Sequence, residues 1–247
     1  MRTITLDELD ERAALQRRVD QKYLVPRTVF DSLTTRLDAA YEVLEIDGER
    51  AFEYESVYLD TPELVCFRQH VEDRQPRFKV RSRLYASSGD CVLEVKVKTE
   101  GGTMDKRHIA RPAEKHGELD DDACSFVDGV LAEHGFDPVA DRLHTSLTTR
   151  FTRRTFVARE GAERVTCDRW VELRRPEGSA AWLDPDHFLV ESKSEQGRGD
   201  WDDALVAQGI VSVSLSKYRV GHSLLGAPDP EEPLPEWARP LFSVTAG

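Results

Sequence analysis

Between Arg77 and Arg83 the chain reads Arg-Phe-Lys-Val-Arg-Ser-Arg, so a cation stands at every second position. A period of two is that of a β-strand, in which alternate side chains share one face. Like charges on one face repel each other, and a packed core does not need them. A strand with one solvated face, or an edge strand protected by lysine, would be the ordinary explanation of a single run. A polyanionic ligand is the alternative.

Three further runs repeat this arrangement. Charged residues alternate with apolar ones over 92–98, and the acid-x-Lys pattern recurs within 188–193 and at 20–22. Solubility does not explain four such runs, because the chain already carries a formal net charge of −12. We therefore expect these cations, and a few carboxylates among them, to point into one enclosed space.

The distribution of negative charge indicates what such a space admits. Acidic runs lie elsewhere in the chain, at 120–122, 200–203 and 231–232. An acidic exterior around a basic interior is not typical of proteins that bind duplex nucleic acid, which show basic totals or broad basic faces. The pattern favours small or thin polyanions instead.

Several other classes of protein are excluded by missing signals. No stretch approaches the roughly 18 apolar residues of a membrane span, and the N-terminal residues lack the apolar core of a signal peptide, so we expect a cytoplasmic protein. The four cysteines are widely spaced without a zinc-ligand pattern, and are expected to be reduced. There is no glycine-rich phosphate loop, so any phosphate would be bound by side chains.

The pattern of apolar residues predicts a series of strands interrupted by a few helices. Strands are expected near 17–25, 41–47, 51–60, 76–86, 91–98, 106–111, 148–159, 163–172 and 188–193. Helices are expected over 26–40, from 61–63 onwards, over 120–134 and 201–208, and from about 214–216 to 224. Eight or nine mostly antiparallel strands with polar alternation on one face predict an α+β fold, a closed β-barrel with a wet lumen and flanking helices.

The domain limits follow from the C-terminal composition. Residues 1–226 are expected to form one domain, and residues 227–247 to form a Pro-rich tail. We expect the tail to be extended and to pack, if at all, through Trp237 and Phe242.

Eight short motifs together resemble the VTC domain, the polyphosphate polymerase domain of the triphosphate tunnel metalloenzyme superfamily, which also contains the CYTH-type triphosphatases. In chain order they lie at 18–23, 57–62, 77–83, 93–96, 151–156, 164–168, 191–193 and 216–218, within a resemblance that covers roughly 15–226. The resemblance implies an eight-stranded antiparallel β-tunnel that binds a triphosphate among Lys and Arg side chains, with a divalent metal, Mn²⁺ or Mg²⁺, held by carboxylates.

The resemblance also suggests roles for individual residues. The cations expected to act on the phosphoryl group are Lys22, Arg81, Arg83, Lys96, Arg153, Lys193 and Lys217. Further substrate contacts are expected from Arg77, Lys79, Lys98, Ser216 and Arg219. The candidate metal ligands are Glu191 first, then Asp168, Glu94 and Asp20.

One departure from the superfamily pattern favours one activity over another. Many tunnel enzymes begin with Glu-x-Glu-x-Lys, whereas this chain has Arg18, Asp20 and Lys22 at those positions, which resembles the VTC branch more than the hydrolytic CYTH branch. The leading hypothesis is therefore a polyphosphate polymerase, in which the end of a polyphosphate chain attacks the γ-phosphorus of ATP. The alternatives are a triphosphatase, in which water attacks, and a polyphosphate sensor without catalytic activity.

Overall fold

The structure is a computed structural model that describes residues 1–12, 19–195, 197–227, 229 and 233–247. Its α-helices are α1 (Leu6–Arg12), α2 (Arg27–Arg36), α3 (Val65–Val71), α4 (Asp121–Ala132), α5 (Asp200–Val206) and α6 (Lys217–Leu224). Its first six strands are β1 (Arg2–Ile4), β2 (Val19–Pro26), β3 (Tyr41–Leu44), β4 (Phe52–Asp60), β5 (Arg77–Tyr85) and β6 (Asp90–Lys98). The other six are β7 (Met104–Arg111), β8 (His144–Ala158), β9 (Arg164–Arg174), β10 (Ala180–Leu183), β11 (His187–Ser194) and β12 (Phe242–Thr245).

Eight of the strands form one continuous antiparallel series, in the order β2-β11-β9-β8-β4-β5-β6-β7. Strands β10 and β12 extend the sheet from β9, and β3 pairs with β1 and with the end of β8. The predicted α+β class, an antiparallel barrel-like sheet with flanking helices, is confirmed. Within the described ranges no hydrogen-bonded ladder joins β7 to β2, so the series ends at these two strands.

The alternation along β6 shows how the sequence selects the two faces of the sheet. Leu93, Val95 and Val97 are at most 1% exposed and belong to a core that also contains α4. Glu94 and Lys96, at the intervening positions, lie on the other face beside Arg81 of β5. Since side chains in a strand alternate between faces, burying the apolar set against a helix directs the charged set into the lumen.

A second core covers the outer face of β2 and β11. The Phe30 ring of α2 stacks on Phe188 with centroids 3.9 Å apart, and the Trp201 ring of α5 lies 5.9 Å from Phe30. Tyr23 and Val25 of β2 are buried in the same cluster. Lys22 and Leu24 alternate with them and therefore face the lumen.

The buried Asp60 carboxylate, at the end of β4, positions α3 and α6. Its Oδ1 accepts the Cys66 N–H at 2.9 Å, its Oδ2 accepts the Phe67 N–H at 3.0 Å, and the Tyr218 hydroxyl of α6 donates to the same group. Helix α3 begins at Val65, later than the expected start at 61–63. Thr61 Oγ1 accepts the Val65 N–H at 3.3 Å and Asp60 accepts the next two, so these two residues satisfy the first N–H groups of the helix.

Several elements differ from the predicted series. Four elements, β1, α1, β10 and β12, were not expected from the sequence, although Thr5 and Glu8 form the capping hydrogen bonds of α1. The C-terminal tail is not extended throughout, because it contains a 3₁₀ turn at Arg239–Leu241 before β12. It packs through Leu234, Ala238 and partly Phe242, whereas Trp237 is 48% exposed. The expected role of Trp237 in packing is therefore wrong. The first-strand departure at Arg18 lies outside the described residues.

Two expected features can be compared directly with the described residues. All four cysteines are free thiols, as expected. The longest helix, α4, has 12 residues, and in the described part of the chain no helix is long and apolar enough to cross a bilayer.

Burial of His222 predicts a pH-dependent stability. Its ring is fully buried beside Phe67 and Tyr218, neither ring nitrogen has a hydrogen-bond partner in the described structure, and burial lowers its pKa to about 3. The unfolded chain takes up a proton below about pH 6.5 and the folded protein does not, so folding loses stability as the pH falls from 6.5 towards 3.

We expect His222→Phe to remove this loss. The change in the free energy of unfolding that the substitution causes should be more favourable at pH 5 than at pH 8 by about 2 kcal/mol. Urea titrations at both pH values measure the difference. The control is His144→Phe, which changes an exposed histidine. An equal effect of His222→Phe at both pH values would contradict the prediction.

Candidate functional site

Side chains from six strands and from α6 form a compact group of positive charges in the lumen, here called the cation cluster. Its members are Lys22, Lys79, Arg81, Arg83, Lys96, Lys106, Arg153, Lys193 and Lys217. The structure thus brings together every cation expected to act on a phosphoryl group and one of the expected substrate contacts. Lys106 of β7 was missed, although it stands on an expected strand directly opposite Lys96.

The first carboxylates in the cluster belong to β2 and β11. The Lys193 Nζ lies 2.8 Å from Asp20 Oδ2 and 2.7 Å from Glu191 Oε1, and the Lys22 Nζ lies 3.3 Å from the same Glu191 oxygen. Burial alone would raise the pKa of Glu191, but the Lys193 and Lys22 ammonium groups outweigh it and hold this pKa well below its usual range. Glu191 is therefore ionised at neutral pH.

A third carboxylate, Asp168 of β9, accepts hydrogen bonds on both oxygens. Arg153 of β8 donates its Nε to Oδ1 at 2.6 Å and its Nη2 to Oδ2 at 2.8 Å, and Lys217 of α6 also donates to Oδ2. Burial raises the pKa of Asp168, and the two cations more than offset this and lower it. The bidentate geometry holds the Arg153 guanidinium in one orientation.

The fourth carboxylate, Glu94 of β6, is only 1% exposed. Arg81 Nε donates to its Oε2, Lys96 lies 3.8 Å from the same oxygen, and Lys106 lies 2.7 Å from Oε1. Burial raises the pKa of Glu94, but Arg81 and Lys96 outweigh it and lower it far below the usual range. Asp168 and Glu94 are thus internal counter-ions, with cations on both oxygens.

Arg83 and Lys79 stand in the cluster without a carboxylate at ion-pair distance among the described residues. Arg83 Nε donates to Ser56 Oγ at 3.1 Å, and burial, together with Arg81 and Arg153, lowers its pKa. Lys79 Nζ lies 3.4 Å from Ser216 Oγ, and burial, reinforced by Arg77, lowers the pKa of Lys79 to about 7. These two cations have positive charge available for an anion.

Aromatic rings line the same lumen, which the sequence analysis did not predict. Tyr54 and Phe151 stack with centroids 5.4 Å apart. The Arg153 guanidinium lies 5.1 Å from the Tyr54 ring, and the Lys217 ammonium lies 4.4 Å from the Phe151 ring. Such contacts stabilise cations whose water has been removed. The sequence could have indicated the position of the Tyr54 ring, because Tyr54 shares a strand face with Ser56, which binds Arg83.

The remaining predicted contacts lie at the edge of the cluster. Arg77 and Lys98 share the exposed Asp73 carboxylate, at 2.5 Å and 3.9 Å. Ser216 caps α6 and contacts Lys79. Arg219 is bound through two nitrogens by Asp229 of the C-terminal segment, both at 2.8 Å, and this contact lies outside the cluster.

The carboxylates fit a divalent metal in one place. Asp20 and Glu191 each direct one oxygen at the Lys193 ammonium, so two hard oxygen donors converge on a single cation. In the described ranges there is no group of three or more Asp, Glu, His or Cys residues that could hold a metal. Mg²⁺ typically takes one or two carboxylates and completes its shell with phosphate and water oxygens, which suits this pair.

The family of the chain follows from its sequence. The VTC domain profile matches residues 17–225. The chain belongs to the VTC domain family. No curated protein matches it.

Two solved structures share the fold of this VTC domain. A putative adenylyl cyclase from Hippeastrum, described as having a dominant triphosphatase activity, has a TM-score of 0.54 and 15% identity over 83% of this chain and 94% of its own. A putative adenylate cyclase from Bacillus halodurans has a TM-score of 0.51 and 12% identity over 81% and 94%. At 15% and 12% identity the likeness is one of fold.

The uncompensated charge of Arg83 predicts opposite effects of two similar substitutions. Arg83→Gln removes a buried cation that Arg81 and Arg153 repel in the empty site, and the Gln amide can still donate to Ser56, so it should raise the free energy of unfolding by about 1 kcal/mol. It should also reduce the increase in Tm that sulfate produces. Arg81→Gln, the matched control, breaks a buried ion pair with Glu94 and should lower stability. Thermal melts with and without sulfate test both, and destabilisation by Arg83→Gln would contradict the assignment.

Proposed function

We propose that this VTC domain is a polyphosphate polymerase, which transfers the γ-phosphoryl group of ATP to the end of a polyphosphate chain. The observation that carries the proposal is the excess of cations over carboxylates in the lumen. Nine cations surround four carboxylates, and two of those cations, Arg83 and Lys79, have no carboxylate at ion-pair distance in the described structure.

The chemistry of phosphoryl transfer matches this arrangement. The reaction needs little covalent help from the protein; it needs the reacting groups aligned and the charge on the phosphoryl oxygens stabilised. Arg83 and Arg153 both lie over the Tyr54 ring, at 5.6 Å and 5.1 Å from its centroid, and guanidinium groups are planar donors that bind phosphate oxygens in pairs. Because they are held by Ser56 and Asp168, they need little reorganisation when the substrate binds.

The state of the carboxylates favours phosphate over water as the acceptor. A hydrolase gains from a general base whose pKa lies near the working pH. The pKa values of Glu191, Asp168 and Glu94 are all lowered by adjacent cations, so these groups are weak bases. The terminal phosphate of a polyphosphate chain is already ionised and needs no such base.

A divalent metal fits the proposed reaction. Asp20 and Glu191 would hold Mn²⁺ or Mg²⁺, which would supply charge stabilisation to the phosphate oxygens when bound. The chain's own cations bind and orient the rest of the triphosphate.

The decisive experiment incubates the purified protein with ATP and Mn²⁺ and separates polyphosphate from free phosphate on a gel. Polyphosphate that accumulates with ADP supports the proposal. Free phosphate alone would show that water is the acceptor, and the protein would then be a triphosphatase. Tight binding of tripolyphosphate without either product would indicate a sensor.

Glu191→Gln separates a metal ligand from a simple counter-ion. The substitution keeps the size of the side chain and removes its charge, so metal-dependent turnover should fall by orders of magnitude. Binding of tripolyphosphate without metal should hold or strengthen, because Lys193 and Lys22 lose a competing anion. Calorimetry measures binding, and the control is Glu172→Gln, which removes a carboxylate paired with Arg174. Turnover near wild type in Glu191→Gln would rule out the metal assignment.

The lowered pKa of Lys79 predicts that the affinity of the site for anions depends on pH. Its pKa is about 7 in the empty site, and a bound polyanion would raise it, so binding above pH 7 must take up a proton. The affinity for tripolyphosphate should fall by up to about tenfold per pH unit above 7. Lys79→Arg keeps the charge at every pH and should abolish this fall. Because tripolyphosphate ionises in the same way in both experiments, comparing the wild type with Lys79→Arg removes the contribution of the ligand. An equal dependence of affinity on pH in the two proteins would refute the role of Lys79.

A further inference from the structure

The Tyr54 ring of β4 is the middle one of three aromatic rings on the lumen face of neighbouring strands. Phe151, directly opposite Tyr54 on β8, stacks on it with centroids 5.4 Å apart and ring planes 12° apart. Tyr85, directly opposite Tyr54 on β5, makes an edge contact with centroids 5.1 Å apart and ring planes 63° apart. Aromatic rings prefer these two arrangements. Contacts with both neighbouring strands therefore hold the Tyr54 ring in one orientation.

Two guanidinium groups of the cation cluster contact this ring. Arg83 lies 5.6 Å from the Tyr54 ring centroid and Arg153 lies 5.1 Å from it. Both distances are within the range of about 6 Å over which the negative face of an aromatic ring attracts a cation. The attraction is strongest for a cation that has lost much of its water, and Arg153 is only 13% exposed.

The two arginines differ in their other partners. Arg153 donates two hydrogen bonds to the Asp168 carboxylate, which fix its guanidinium group independently of the ring. Arg83 donates to Ser56 Oγ at 3.1 Å and has no carboxylate at ion-pair distance among the described residues. Arg81 and Arg153 repel it. In the described structure, Ser56 and the Tyr54 ring supply the attraction that offsets this repulsion.

An aromatic ring holds a cation in a different way from a carboxylate. A carboxylate brings a negative charge that cancels the charge of the cation it positions, whereas an aromatic ring has no net charge. The Tyr54 phenol stays neutral because burial raises its pKa. The charge of Arg83 therefore remains available to an anion while its guanidinium group is held in place.

We propose that Tyr54 is a positioning residue of this site, whose ring face holds the Arg83 guanidinium group ready for a phosphate group without cancelling its charge. This role rests on the proposed function, because it concerns how the same site binds the phosphate groups of its substrate. It applies equally to a polymerase and to a triphosphatase, since both must bind a triphosphate before transfer. The ordinary alternative is that the ring is apolar filler.

Fluorination of the ring separates these two roles. The reference protein is Tyr54→Phe, which keeps the ring and should bind tripolyphosphate within about threefold of the wild type. Phenylalanine with one, two or three ring fluorines is then incorporated at position 54. Fluorine draws electrons from the ring face and so weakens its attraction for cations, whereas the ring hardly changes in size and becomes no more polar. Apolar packing is therefore kept while the attraction for cations is lost.

We expect calorimetry to show that the affinity for tripolyphosphate falls with each added fluorine, by about five- to tenfold in the trifluorinated protein. The reason is that Arg83 would leave its position more often, and the substrate would have to bring it back. The same series in Arg83→Gln should lose only about twofold, because Asp168 still fixes Arg153. The matched control is the series at Phe78, a β5 residue of the outer core that contacts Phe136, where fluorination should leave the affinity unchanged.

Four results would overturn the role of the ring. A constant affinity along the series would show that the ring is apolar filler, and a rising affinity would show that it competes with the substrate for cations. An equal loss with and without Arg83 would show that the ring acts through another residue. Loss of binding in unfluorinated Tyr54→Phe would assign the role to the hydroxyl group.

Binding by the wild type distinguishes failure of this role from failure of the proposed function. If the wild type does not bind tripolyphosphate, the proposed function fails and the role of Tyr54 fails with it. If the wild type binds tripolyphosphate and makes polyphosphate from ATP, but fluorination has no effect, only the role of Tyr54 is wrong.

Discussion

The structure depends on holding many like charges in one enclosed space. Nine cations in a lumen would repel each other strongly at low dielectric, and burial alone would favour their neutral forms. The chain solves this by inserting Asp20, Glu94, Asp168 and Glu191 among them. Each carboxylate contacts at least one cation on its own or a neighbouring element. The site is thus stable when empty and still has a net positive charge for a substrate.

The internal ion pairs are a means of positioning more than a source of stability. Replacing a buried ion pair by apolar residues is often neutral or stabilising, whereas removing one partner costs about 3–5 kcal/mol, because the other charge is then left unpaired. The cluster is therefore sensitive to single substitutions. Stability comes from elsewhere: the apolar faces of β2, β6 and β11 pack under helices, and Asp60 fixes α3 and α6 to the end of β4.

The sequence predicted the strands of the barrel and most of the cluster because alternation with period two is a local property. Arg77 to Arg83 and Glu94 to Lys98 show it directly, and burial of the apolar partners decides which face is the lumen. The ion pairs of Arg153 with Asp168 and of Lys193 with Asp20 could not be predicted from this alternation, because they depend on strand order and register. The position of α6 beside β8 and β9 also depends on contacts between residues far apart in the chain.

A β-bulge in β9 lets this strand present both a charged and an apolar side chain to α6. Three steps along β9, from Arg169 to Glu172, oppose two along β8, and Trp170 takes a positive φ of 53° at this point. The extra residue reverses the alternation, so that Asp168 and Val171, three residues apart, both face α6. A bulge re-aims side chains in this way, at a local cost in strain that the surrounding ladder must overcome. Without it, alternation from Asp168 would turn Trp170 and Glu172, and not Val171, towards α6. The ion pair of Asp168 with Lys217 and the packing of Val171 beside α6 therefore depend on the same irregularity in one strand.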